Sequence, residues 1–140
     1  MTGQTDTMTP ASEPEANEIR TRVVLIDARP DRRAVMRQVF EHSGVDAAVV
    51  GEADSEADAI ALVDQRRADL AVIELPLPVT QGLATITALR ARFPDLAIVV
   101  ISFNVDALVK EQAVASGADA YLVKPVSARE VVAAIPAAAG

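Results

Sequence analysis

Four short apolar runs in this chain each lead into a residue able to do chemistry. "RVVLID" ends on Asp27, "DLAVIE" on Glu74, "LAIVVIS" on Ser102, and "ADAYLV" runs into Lys124. Two carboxylates, a hydroxyl and an ammonium make an ionic, hydrogen-bonding set. Other chemistries are poorly supplied. The absence of cysteine excludes disulfides, thiolate nucleophiles and thiolate metal sites together. The single histidine, His42, falls near the end of a helical pattern just before Gly44, where a cation suits the helix dipole. Met1, Met8 and Met36 form no cluster. A lone polar residue at a strand end usually just begins a loop. Four of them at successive ends call for an architecture that gathers them.

The rest of the pattern supplies it. "RVVLID", "AAVVGEA", "DLAVIE", "LAIVVIS" and "ADAYLV" read as five strands, each followed by a helical periodicity. The first helix is expected over about Asp31 to Ser43, with Val35, Val39 and Phe40 on one face and a stop at Gly44. Ser55 caps a second through about Arg67, with Asp58 completing a weak capping box. Leu83, Ile86, Leu89 and Phe93 mark the third, before Pro94. The fourth is expected over about Val105 to Ser116, stopped by Gly117. Ser127 and Glu130 box the start of a fifth, which Pro136 interrupts. Such alternation implies right-handed crossovers and a parallel sheet covered on both faces, a doubly wound (βα)5 α/β fold. Ligands and chemistry in that fold sit outside the carboxyl ends of the strands. All four polar residues belong there.

Composition agrees. The chain of 140 residues suits one domain, and it is 51% hydrophobic but only 3% aromatic, so its core must come from Val, Ile, Leu and Ala. Of the formal charge of −7, −4 resides in Asp6, Glu13, Glu15 and Glu18. Residues 1 to 18, "MTGQTDTMTPASEPEANE", lack apolar periodicity and are expected to form a disordered acidic tail ahead of a single domain over 19–140. No clustered basic face suits direct nucleic-acid binding. Arg29, Arg32, Arg33 and Arg37 recur at helical spacing and read as a solvated face. Without a signal peptide or a long apolar run, a cytoplasmic location and no membrane contact are expected.

The order and spacing resemble the receiver domain of two-component response regulators, over about residues 22 to 135. The matching pieces are "LID" with Asp27, "IELPLP" followed by Gly82, "VVIS", and above all "GADAYLVKP". The resemblance implies the strand order 2-1-3-4-5. It also implies a site in which an aspartate closing the third strand takes a phosphoryl group from a histidine kinase. There Mg²⁺ bridges the oxygens and a lysine neutralises them. Carried over, Asp27 takes the first acidic position, Ser102 the switch hydroxyl and Tyr121 the mobile aromatic. Lys124 takes the lysine position, and Pro125 the proline whose preceding bond is commonly cis. The output surface would include Lys110, Asp119, Tyr121 and Arg129.

Two departures touch the chemistry itself. Ala28 stands at the second acidic position and offers no oxygen. Glu74 stands at the acceptor position, and its extra methylene displaces the carboxylate by roughly 1.5 Å, beyond the tolerance of in-line transfer. Mg²⁺ binding is expected to be weak at most, through Asp27, Glu74 and the backbone carbonyl of Pro76. The leading expectation is an atypical, phosphorylation-independent receiver and not an enzyme, acting in signalling or transcriptional regulation through protein contacts. Its partner would be a histidine kinase, a downstream regulator or a second copy of the chain. Glu74 then either mimics a phosphorylated state by reaching Ser102 and Lys124, or forms a structural ion pair with Lys124 in a relic site. Two alternatives stay open: a receiver that still accepts phosphate, and, more distantly, a small flavodoxin-like enzyme. "DARPDRR" lacks the glycines of a phosphate loop and argues against the last. The ending "IPAAAG" suggests no output domain.

Overall fold

The computed structural model describes residues 20–75 and 79–136. The expectation of a disordered tail over 1–18 therefore lies outside the described residues. The elements alternate: β1 (Thr21–Ile26), α1 (Pro30–Glu41), β2 (Ala47–Ala53), α2 (Glu56–Arg66), β3 (Leu70–Glu74), α3 (Thr80–Arg92), β4 (Ala97–Ser102), α4 (Ala107–Ser116), β5 (Ala120–Val123) and α5 (Ala128–Ala133). All strand pairs are parallel, in the order β2-β1-β3-β4-β5. This is the expected doubly wound receiver order.

Strand residues alternate between two cores because successive side chains leave opposite faces of a sheet. Val24, Ile26, Ala71, Ile73, Ile98 and Val100 pack under α2, α3 and α4, through Ala59, Val63, Ile86, Leu89, Val109 and Ala113. Val23, Leu25, Leu70, Val72, Val99 and Ile101 pack under α1 and α5, through Met36, Phe40, Ala128 and Val131. The central strands are buried on both faces, and their unbroken Val/Ile/Leu/Ala runs follow from that.

Several helix limits differ from the sequence-based expectation, for local reasons. α1 starts at Pro30, which suits N1 because its missing N–H would have no intrahelical partner, and it ends at Glu41. Its buried face carries Met36 and Phe40, with Val39 partly buried, whereas Val35 is 64% exposed. Val39 and Phe40 thus face inward as expected, whereas Val35 does not and Met36 takes its place in the core. α2 matches closely: the Ser55 side chain accepts from Asp58 N, and Arg67 closes the helix at φ 52°. α4 begins at Ala107, not Val105, because the Asp106 carboxylate accepts from Leu108 N and so caps the helix there. The Ser127–Glu130 capping box is complete. α5 stops at Ala133, ahead of Pro136.

Candidate functional site at the carboxyl edge of the sheet

The parallel order brings the ends of β1, β3, β4 and β5 side by side. Asp27, Glu74 and Ser102 are buried there, and Lys124 follows the last residue of β5. Glu74, only 7% exposed, is the centre of the arrangement. Lys124 Nζ donates to its Oε1 at 2.7 Å and its Oε2 at 3.0 Å. Lys124 Nζ also lies 4.9 Å from the centroid of the Phe103 ring, a cation–π contact on its outer side. The Lys124–Pro125 peptide bond is cis, as the resemblance implied.

A second cation reaches Glu74, and it comes from a residue that sequence reasoning assigned elsewhere. Arg32 Nη1 donates to Glu74 Oε2 at 3.0 Å, and Arg32 Nε stands 3.8 Å from Asp27 Oδ2. The three arginines of α1 turn toward carboxylates instead of forming a solvated face, while Arg29, at the N-cap, stays exposed. Arg33 donates to Asp27 O at 2.6 Å and to Glu52 Oε1 at 3.1 Å, and Arg37 donates to Glu52 Oε2 at 2.6 Å. The Arg37 guanidinium, with Arg33 behind it, holds the Glu52 carboxyl below its usual range. Arg29 pairs with exposed Asp31. These contacts arise because the start of α1 overhangs the carboxyl edge. Arg32, in its first turn, therefore points over the site instead of into solvent. That overhang, implied by the (βα)5 frame, was the signal available for Arg32.

Asp27 completes the acidic pair. Its Oδ1 accepts from Arg29 N at 2.9 Å. Burial, reinforced by the charge of Glu74, raises its carboxyl above the usual range against the opposing pull of that N–H and of Arg32. Ala28 occupies the next position, and a hollow of about 250 Å³ opens beside it, also lined by Asp54, Glu74 and Thr85. A wider open cleft of about 680 Å³ runs past Arg32, Glu74, Ser102 and Phe103.

The donor set can be tested against a divalent ion. Glu74 Oε1 faces Lys124, Glu74 Oε2 faces Lys124 and Arg32, Asp27 Oδ1 faces the Arg29 N–H, and Asp27 Oδ2 faces Arg32. Each of the four carboxylate oxygens already confronts a nitrogen, and Ala28 adds none. This set does not fit Mg²⁺, which requires several oxygens at about 2.0–2.1 Å in near-octahedral array. Pro76, the candidate third ligand, lies outside the described residues.

Ser102 is not joined to Glu74 by a hydrogen bond among the described residues. Its hydroxyl accepts from Asn104 N at 3.0 Å, while Tyr121, buried, donates its hydroxyl to Asn104 O at 2.7 Å. Asn104, which sequence reasoning passed over, thus connects the two switch positions. Lys110 and Arg129 are exposed on α4 and α5. Asp119 sits apart from them at the amino end of β5, where it accepts from Arg90 Nη2 at 2.9 Å and from Ile98 N at 2.8 Å. It staples strands and does not belong to the site edge.

With this geometry in place, comparison with known proteins is direct. The model of the response regulator receiver domain matches residues 23–136, and the chain belongs to that family. The DNA-binding transcriptional activator DevR/DosR of Mycobacterium tuberculosis is 33% identical over 116 residues, covering 81% of this chain and 52% of the activator. The DNA-binding response regulator MtrA of Mycolicibacterium smegmatis is 30% identical over 119 residues, covering 85% of this chain and 50% of MtrA. The chain therefore spans about half the length of these relatives, a transcriptional activator and a DNA-binding response regulator. Among solved structures, the signal receiver domain of NarL from Mycobacterium tuberculosis superposes with a TM-score of 0.71 at 30% identity, covering 82% of this chain and 92% of that one. A two-component response regulator of the LuxR family from Aurantimonas sp. SI85-9A1 gives a TM-score of 0.71 at 25% identity, covering 81% of each chain.

Proposed function

We propose that this chain is an atypical receiver that works without phosphoryl transfer and delivers its output by protein contacts, in signal transduction or transcriptional regulation. The observation that carries the reading is Glu74. Its carboxylate stands at the end of β3, buried and held by Lys124 and Arg32 together. Phosphoryl transfer depends on a free in-line nucleophile and a bridging metal. Here the carboxylate is one methylene too long, carries two cations and neighbours Ala28.

Glu74 imitates a phosphoryl group in charge only. A phosphoryl group brings about −1.5 to −2 charges and three acceptor oxygens. Glu74 brings one charge and two oxygens, both already used by Lys124 and Arg32, while Ser102 is satisfied by Asn104. The pocket is thus a fixed ionic keystone, not a mimic that recruits the switch hydroxyl.

Contact chemistry is available nearby. Phe103, Val105, Leu108 and Val123 are exposed apolar side chains on the β4–α4 loop, α4 and β5, with Lys110 and Arg129 on the flanking helices. Exposed apolar groups accompanied by charged residues favour protein partners. The partner is a kinase, a downstream regulator or a second copy of the chain.

The test is incubation of the purified protein with acetyl phosphate and Mg²⁺, followed by intact mass. The expected spectrum is unchanged. A gain of one phosphoryl group would establish the competing reading, a receiver still switched by phosphate.

A further inference from the structure

Arg32 is anomalous by helix electrostatics. It stands at N3 of α1, after Pro30 at N1, where the helix N-terminus carries partial positive charge and disfavours a cation. Nothing about helix stability selects arginine there. Its contacts point elsewhere, to the two carboxylates that remain of an acidic metal pocket.

We propose that the Arg32 guanidinium is a built-in replacement for the divalent cation, bridging Asp27 and Glu74 and making this pocket charge-complete without metal. The inference rests on the reading of Glu74 as a fixed carboxylate and extends it to the ion. Asp27 and Glu74 bring two negative charges, and Arg32 and Lys124 bring two positive ones. A divalent ion entering between the carboxylates would meet the guanidinium; it would find Asp27 Oδ2, 3.8 Å from Arg32 Nε, but to reach a Glu74 oxygen it would have to break Arg32–Glu74 or Lys124–Glu74. Guanidinium suits the substitution because it is always charged and its donors form a rigid planar fork able to serve two carboxylates at once. The replacement also accounts for Ala28. A second acid at that position would add a negative charge that a monovalent guanidinium leaves unbalanced. The pocket thereby loses its dependence on metal and keeps one arrangement at any Mg²⁺ concentration.

Mn²⁺ titration of the full chain, followed by loss of the free aqueous Mn²⁺ electron paramagnetic resonance signal, tests this. Wild type is expected to show no saturable uptake in the millimolar range. Arg32→Gln is expected to gain it, and the pair Ala28→Asp/Arg32→Gln to bind about tenfold or more tightly than Ala28→Asp alone, since one like charge is removed from beside the ion. Saturable uptake by wild type, or equal affinity with and without Arg32, overturns the proposal. If circular dichroism shows that Arg32→Gln does not fold, Ala28→Asp decides. With Arg32 in place it should stay without micromolar affinity, and micromolar binding overturns the proposal. Acetyl phosphate added to the wild-type samples separates the two claims. Metal uptake without phosphorylation defeats only the role of Arg32, whereas phosphorylation of wild type defeats the reading of Glu74.

Discussion

Asp27 and Glu74 differ in how they carry burial. Glu74 has two cations against it, while Asp27 has one backbone N–H and a more distant guanidinium. Burial above all, then the charge of Glu74, raises the Asp27 carboxyl relative to its ordinary value. A carboxyl raised in the folded state holds its proton more tightly there than in the unfolded chain. Its contribution to stability is therefore complete below the ordinary carboxylate range and is lost as pH rises through the folded value. Asp27→Asn removes that loss and keeps an oxygen for Arg29 N. The variant is expected to melt above wild type at pH 7, with the two curves converging as pH falls below the ordinary carboxylate range, about pH 4. Thermal unfolding monitored across pH checks it, and a variant less stable at pH 7 would contradict it. At this scale the sequence revealed Asp27, Ala28, Glu74, Ser102 and Lys124, because each lies at or next to the end of an apolar run. It concealed Arg32, because a charged residue at helical spacing reads as solvent-facing until the helix is placed over the sheet edge.

The elements owe their limits to a few side chains whose effects were largely readable. Ser55 and the Ser127–Glu130 pair cap where their types suggest, and Asp106 moves the start of α4 by supplying a cap that the apolar pattern could not weigh. On α1, Val39 and Phe40 face inward as their spacing suggests, but Met36 and not Val35 joins them, because both are apolar and only packing under β1 decides between them. The α4–β5 turn depends on Gly117, at φ 125°, where a Cβ would come within 2.8 Å of Arg90 Cβ. Arg90 in turn donates to Gly117 O, Leu96 O and Asp119, tying α3 to the starts of β4 and β5. Gly117→Ala is expected to cost about 1–3 kcal/mol from strained backbone, with the clash adding to it. Gly44→Ala, also at positive φ but with nothing within 4 Å, should cost less. Urea denaturation midpoints rank the two, and the reverse order would be contrary to this account of the turn.

For the whole molecule, strand order and layering followed from five apolar runs separated by helical periodicity. The carboxyl-edge rule then brings the four strand-end residues to one side of the sheet. The loop after β4 also brings the site close to exposed apolar side chains. Ser102 and Tyr121 meet at Asn104, next to the exposed Phe103 whose ring covers Lys124. Charge at Glu74 is thus one side chain away from the apolar surface. No helix among the described residues is long and apolar enough to cross a membrane. The relatives are about twice as long as this chain and carry DNA binding in their names. The central claim is that Lys124 and Arg32 occupy the Glu74 carboxylate and stand where a metal ion or phosphoryl group would have to bind. Its most direct test is the amide NMR spectrum of ¹⁵N-labelled protein before and after addition of Mg²⁺ with beryllofluoride. The account predicts superimposable spectra. Saturable shifts at Glu74, Ser102 and Lys124 would contradict it.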